Sequence, residues 1–140
     1  MFLLAGHGEE KRIAFSDGII SYMAISEELA RLKAKVLICT VDACYSGSAI
    51  TCLKSADRIV MASSADNEKT YGGMLCYSFF TAMQNKSNDR DDNGYCSVLE
   101  SFSGARMSLE SKFENHPQLS NETLAEETYL IELYVGEQRS

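Results

Sequence analysis

Two stretches decide the fold: Phe2-Leu3-Leu4-Ala5-Gly6-His7-Gly8, and Val36-Leu37-Ile38-Cys39-Thr40-Val41-Asp42-Ala43-Cys44-Tyr45-Ser46-Gly47. Each is an apolar run that breaks into small and polar residues, the pattern of a buried strand entering a turn. In an open α/β sheet, ligands and chemistry collect outside the carboxyl ends of the strands. A histidine and a cysteine leaving two such strands can face one another, which makes Cys44 a candidate nucleophile and His7 its partner.

Working outward, residues 1–5 form a buried strand, and Arg12–Tyr22 alternates around Ser16-Asp17-Gly18 as a hairpin turning at Asp-Gly. Ser26 is placed to cap a helix over Glu27–Lys33, with acids in its first turn and bases in its last. Lys35–Val41 reads as the second buried strand, Ser48–Lys54 as a short helix and Arg58–Ala62 as a third strand. Met74–Lys86 and Val98–Glu114 are amphipathic helices separated by the polar break Ser87–Gly94, and Pro117 marks the stop. The polar stretch Gln118–Glu127 leads to a closing strand, Tyr129–Val135. Alternating strands and helices predict an α/β fold: one domain over residues 1–140, with helices on both faces of a mainly parallel sheet.

Composition excludes several classes. A chain of 140 residues, 45% hydrophobic, is the size of one domain with a real core. The net charge of −7 argues against a nucleic-acid face and favours a cationic peptide as partner. Five cysteines are an odd number, without a CxxC pair and with only two histidines, so neither a disulfide framework nor a zinc site is expected. The apolar runs are far shorter than the ~18 residues that span a bilayer, and no membrane partner is expected. The start lacks a basic leader region and runs straight into Gly-His-Gly-Glu-Glu, so the sequence predicts a strand there and a reducing, cytoplasmic setting.

A cysteine attacks as its thiolate, and a strand-to-helix turn such as that at Cys44 presents unpaired amides that favour this form. A nearby imidazole manages the proton, and backbone amides hold the oxyanion formed when a carbonyl is attacked. Gly8 would leave its amide open beside His7. Taken singly, either motif is also what a core cysteine and a turn histidine would give.

In order and spacing, Leu3-Leu4-Ala5-Gly6-His7-Gly8 with Val41-Asp42-Ala43-Cys44-Tyr45-Ser46-Gly47 resembles the caspase-like clan of cysteine peptidases: caspases, metacaspases, legumain, clostripain and bacterial relatives. Asp17-Gly18, Met61-Ala62-Ser63-Ser64-Ala65, Asn93-Gly94 and Pro117-Gln118-Leu119-Ser120 extend the resemblance over most of the chain. It implies a three-layer α/β/α fold and a cysteine endopeptidase, with Cys44 as nucleophile, His7 as general acid/base, and the Gly8 and Cys44 amides as oxyanion donors. Asp42 matches the acid two residues before the cysteine in members that cut after Arg or Lys, although legumain-like members place Glu there and prefer Asn. Asp42 is equally a strand-end carboxylate able to accept backbone amides. Ser63 and Ser64 match the strand end that borders the bound peptide. In the clan the His strand is preceded by two further strands, whereas here it begins at Met1, so the chain is expected to be N-terminally truncated. A partner chain or second copy would then complete the sheet, and the alternative function is an inactive relative serving as a binding or calcium-responsive module.

Asp89-Arg90-Asp91-Asp92-Asn93-Gly94 followed by Glu100 has the spacing of a calcium loop, so Asp89, Asp91, Asn93 and Glu100 are candidate Ca²⁺ ligands; the chemistry at Cys44 needs no cofactor. A solvated acidic turn would show the same residues. His116 is a rival base but precedes Pro117 in a polar loop, and Tyr45 and Tyr71 either line a cleft or cover the core edge. Cys39, Cys52, Cys76 and Cys96 read as small buried hydrophobes.

Overall fold

The computed structural model describes residues 1–132. Strands β1 (Phe2–Ala5), β2 (His7–Glu9), β3 (Arg12–Phe15) and β4 (Gly18–Ser21) open the chain, followed by α1 (Tyr22–Leu29), β5 (Leu37–Asp42), α2 (Ser48–Leu53) and β6 (Arg58–Ala62). Then come α3 (Met74–Met83), a 3₁₀ turn at Lys86–Asn88, β7 (Tyr95–Ser97), α4 (Val98–Phe113), β8 (Gln118–Leu119), α5 (Glu122–Glu126) and β9 (Tyr129–Glu132). Of the closing strand expected at Tyr129–Val135, residues 133–135 lie outside the described part.

The central sheet has the order β1-β5-β6-β8, with β1, β5 and β6 parallel and the two-residue β8 antiparallel at the far edge. Every residue of β5 and β6 is buried, as expected for parallel strands covered on both faces. The two-residue side-chain period sorts them. Leu37, Cys39, Val41 and Val60 join Leu4 and pack with Tyr22, Ile25 and Leu29 of α1 and Ala49 and Leu53 of α2. Ile38, Ile59 and Met61 face the other way, onto Leu75 and Phe79 of α3, Phe102 and Leu109 of α4, and Ala125 of α5. This is the three-layer α/β/α arrangement expected from the sequence.

Four local expectations shift. The first helix begins at Tyr22, capped by Ser21, whose side chain accepts the Ala24 amide. Ser26 therefore lies within the helix, and its Oγ and carbonyl accept the buried guanidinium of Arg58 at 2.9 and 3.2 Å. Arg58 also donates to Leu53 O, so one cation ties α1, α2 and β6 together. The hairpin pairs Phe15 with Gly18, so its turn is Ser16-Asp17 rather than Asp17-Gly18. His7–Glu9, expected as a turn, instead pairs with β3, making a three-stranded antiparallel sheet. The polar stretch Gln118–Glu127 holds β8 and the short α5, whose amphipathic signal is too brief to stand out.

Candidate active site

Ala5 and Asp42 are register partners in the parallel pair β1 and β5. His7 and Cys44 lie equal steps beyond the ends of these two neighbouring strands, His7 at the start of β2 and Cys44 in the turn after β5. The tightest contact between the two strand ends is made by backbone. A Cβ placed on Gly8 would fall 1.8 Å from the Cys44 carbonyl oxygen and 2.8 Å from its carbon. Only glycine allows this approach, which sets the residue after His7 directly against the Cys44 peptide. His7 itself is exposed at the start of β2, opposite Ala14.

Cys44 is half-buried in the turn between β5 and α2. The next residue, Tyr45, is left-handed with φ 57°, a conformation that costs a non-glycine residue roughly 1–2 kcal/mol. Both backbone groups of Tyr45 are held: its amide donates to Glu68 O at 2.7 Å, and its carbonyl accepts from the Ser48 amide and hydroxyl at 3.2 and 2.8 Å. The surrounding structure thus over-determines a sharp turn that presents the thiol.

Ser63 and Ser64, at the end of β6, are buried side chains. Ser63 Oγ accepts the Ala43 amide at 3.1 Å and donates to the Ala43 carbonyl at 3.2 Å. Ser64 Oγ accepts the Ser46 amide at 3.1 Å, and the Ser64 amide donates to Ser46 Oγ at 3.1 Å. The hydroxyls therefore grip the residues on either side of Cys44.

Asp42 is fully buried. Its Oδ2 accepts the amides of Leu75 and Cys76 at 3.0 and 3.2 Å, at the start of α3, where the left-handed Gly73 (φ 82°) turns the chain. Its Oδ1 is buried without a hydrogen-bond partner. Burial pushes the carboxyl pKa up, against the opposing pull of the Cys76 amide, the Ser63 hydroxyl and the Leu75 and Gly73 amides. Asp42 thus accepts backbone amides with one oxygen and leaves the other unsatisfied.

Two cavities border the turn that carries Cys44. One, of about 440 Å³, is lined by Cys44, Lys69, Thr70, Tyr71, Phe113 and Asn115. Within it Cys44 Sγ donates to Thr70 O and accepts from Thr70 N, each at 3.4 Å. Tyr71 is exposed there and packs against Phe113 with ring centroids 5.6 Å apart. The other, of about 680 Å³, lies beside Tyr45 and carries Glu9, Glu10 and Asp66 with Lys11. Glu68, Thr70 and Asn115 carry no signal in the sequence that marks them as part of the site; only the fold brings them to Cys44. His116 stands apart, its Nδ1 2.9 Å from Glu68 Oε1 on the surface.

The acidic loop brings Asp89, Asp91 and Glu100 together, with one carboxylate oxygen of each within 4.8 Å of the others. Asn93 instead turns its Oδ1 to the Tyr95 amide at 2.8 Å. All three carboxylates also accept hydrogen bonds inside the loop: Asp89 from the Asn93 and Gly94 amides, Asp91 from Asn93, and Glu100 from the Arg90 and Ser97 amides. Ser97 and Glu100 form a capping box on α4. Of the remaining thiols, Cys39 and Cys96 are buried and Cys52 and Cys76 half-buried. Burial pushes Cys39 up to about 11, and burial together with the Asp42 charge pushes Cys76 up to about 12, so neither offers a thiolate near neutral pH.

The model of the Peptidase C13 family matches residues 1–136. No curated protein matches the chain.

Proposed function

Because this chain belongs to the Peptidase C13 family of cysteine peptidases, we propose that it is an endopeptidase working through Cys44 and His7 and cutting after Arg or Lys. His7 takes the thiol proton, and the Cys44 thiolate attacks the carbonyl carbon of the scissile bond. The oxyanion is held by the amides of Gly8 and Cys44. As the carbon–nitrogen bond breaks, His7 gives its proton to the leaving amine; water then releases the acyl group and restores the thiol. The observation that carries this reading is the packing of Gly8 against the Cys44 carbonyl, which ties the His-Gly strand end to the nucleophile's own peptide.

A basic residue before the scissile bond is supported by Asp42, whose unsatisfied buried Oδ1 would be completed by a guanidinium or ammonium group. The acid-rich cavity beside Tyr45 and the net charge of −7 favour approach of a cationic peptide. The test is covalent labelling by a peptidyl-arginine acyloxymethylketone, located by mass spectrometry. An adduct on Cys44 that is lost when the peptide carries Glu in place of Arg is the expected result; absence of any Cys44 adduct overturns the proposal.

A further inference from the structure

We infer that residues 68–71 form a strap that closes the cleft at Cys44, and that the Glu68–His116 pair is its pH-sensitive latch. Thr70 meets the thiol with both of its backbone polar groups, amide to Sγ and Sγ to carbonyl, each at 3.4 Å. A peptide carbonyl cannot reach Sγ along that side while Thr70 occupies it. The strap is the cover that a substrate must displace.

The rest of the strap is fastened at both ends. At its start, Glu68 O accepts the Tyr45 amide at 2.7 Å, and Glu68 Oε2 accepts the Ala65 and His116 amides at 3.0 and 2.9 Å. In its middle the buried Asn115 donates to Lys69 O at 2.8 Å and accepts from Thr70 Oγ1 at 3.3 Å. Past the strap's hydrogen bonds, Tyr71 rests on Phe113. Asn115 and His116 are adjacent, so the corner after α4 holds the strap through a neutral clamp and a charged one.

Only the charged clamp holds titratable groups. His116 is raised above its usual value by its hydrogen bond to Glu68 and the Glu68 charge, helped by Glu110 and Glu114 of the last turn of α4 and its cap. Glu68 lies below the usual carboxylate range: burial opposes this, but the amides of His116 and Ala65 and the His116 ring outweigh it. Since the folded imidazole holds its proton more tightly than a free one, the latch is fully made below the ordinary histidine value and is lost as pH rises through the raised one. The pair is solvent-exposed on the His116 side, so its effect is modest, about two- to fivefold in the closed-to-open ratio.

The role of Cys44 as nucleophile comes from the proposed function, but the test needs no peptidase activity. Iodoacetamide alkylates any accessible thiolate, and fragment-ion mapping separates Cys44 from Cys39 and Cys52. At pH 5.5–6, H116A and E68Q are expected to be alkylated at Cys44 about two- to fivefold faster than wild type. The ratio should fall towards one as pH rises above the ordinary histidine value. Hydrogen–deuterium exchange over residues 66–73, which does not depend on thiol ionisation, should rise in both variants at the lower pH only. Ratios of one at every pH, or ratios that do not change with pH, overturn the latch; unaltered exchange in the strap does the same even where alkylation changes.

Discussion

Gly8 and Cys44 meet backbone to backbone, so closely that a Cβ on residue 8 would lie 1.8 Å from the Cys44 carbonyl oxygen. The neighbour is main chain in a turn already held from both sides, so it cannot give way as the end of a flexible side chain would. G8A is expected to be destabilised by about 1–3 kcal/mol and to lose labelling of Cys44 by the arginyl probe. Urea midpoints and adduct yield measure the two effects. Wild-type labelling in a stably folded G8A would show that this contact does not set the site.

Ser63 and Ser64 predict a different signature. Removing the Ser64 hydroxyl strips the Ser46 amide of its buried acceptor, a cost of about 1–3 kcal/mol. S64A should therefore unfold at lower denaturant and, because Ser46 flanks the turn, lower kcat more than it raises KM. S64T, which keeps the oxygen, should recover part of the loss in kcat; recovery of neither would place the effect elsewhere.

The sheet was legible because its signal is simple. Two apolar runs of strand length, Phe2–Ala5 and Leu37–Asp42, carry the parallel pair, and the two-residue period of the second already sorts Ile38 from Leu37 and Cys39. The Cys44 and His7 strand ends follow from the same pattern. What did not show was everything made by pairing at a distance. His7-Gly8-Glu9 has no strand propensity and becomes β2 only because β3 lies alongside. Ser26 has a good capping environment in sequence, yet Ser21 caps the helix because Tyr22 and Ile25 must enter the core one turn earlier. Asn115 and Thr70 are ordinary polar residues until the corner after α4 meets the strap.

Asp42 is expected to make stability fall as pH rises. Burial raises its carboxyl pKa in the folded state, so its contribution is most favourable below the ordinary aspartate value and declines as pH climbs through the folded value. D42N removes the charge but retains an oxygen for the Leu75 and Cys76 amides. Its stability relative to wild type should improve between pH 4 and pH 7, measured by chemical denaturation. At the same time labelling by the arginyl probe should drop on the order of 10–100-fold while iodoacetamide alkylation stays, because only the former uses the carboxylate. A pH-independent stability difference would mean that the carboxyl is not held against ionisation.

Glu100 should matter for folding and not for the chemistry. Its carboxylate accepts the Arg90 and Ser97 amides and the Ser97 hydroxyl, closing the capping box on α4. E100A is expected to lose about 0.5–2 kcal/mol of stability with the Cys44 adduct yield unchanged. Chelation of divalent ions with EDTA should leave that yield unchanged as well, since the proposed steps use the thiolate, an imidazole and backbone amides. Loss of labelling on chelation would require a metal-dependent step.

His7 supplies the last test, and its exposure makes the result easy to interpret. An exposed side chain at the start of β2 can be truncated with little cost to folding, within about 0.5 kcal/mol, so lost activity in H7A is not lost structure. General acid–base catalysis contributes typically ~10²–10⁴-fold, and hydrolysis of a fluorogenic peptidyl-arginine substrate is expected to fall by that amount. H7A and wild type should share one thermal midpoint. The other imidazole is His116, hydrogen-bonded to Glu68 on the surface. Retained activity in H7A together with loss in H116A would move the base to the strap's own latch, and the register that sets His7 and Cys44 at equal steps beyond Ala5 and Asp42 would then be a feature of the sheet alone.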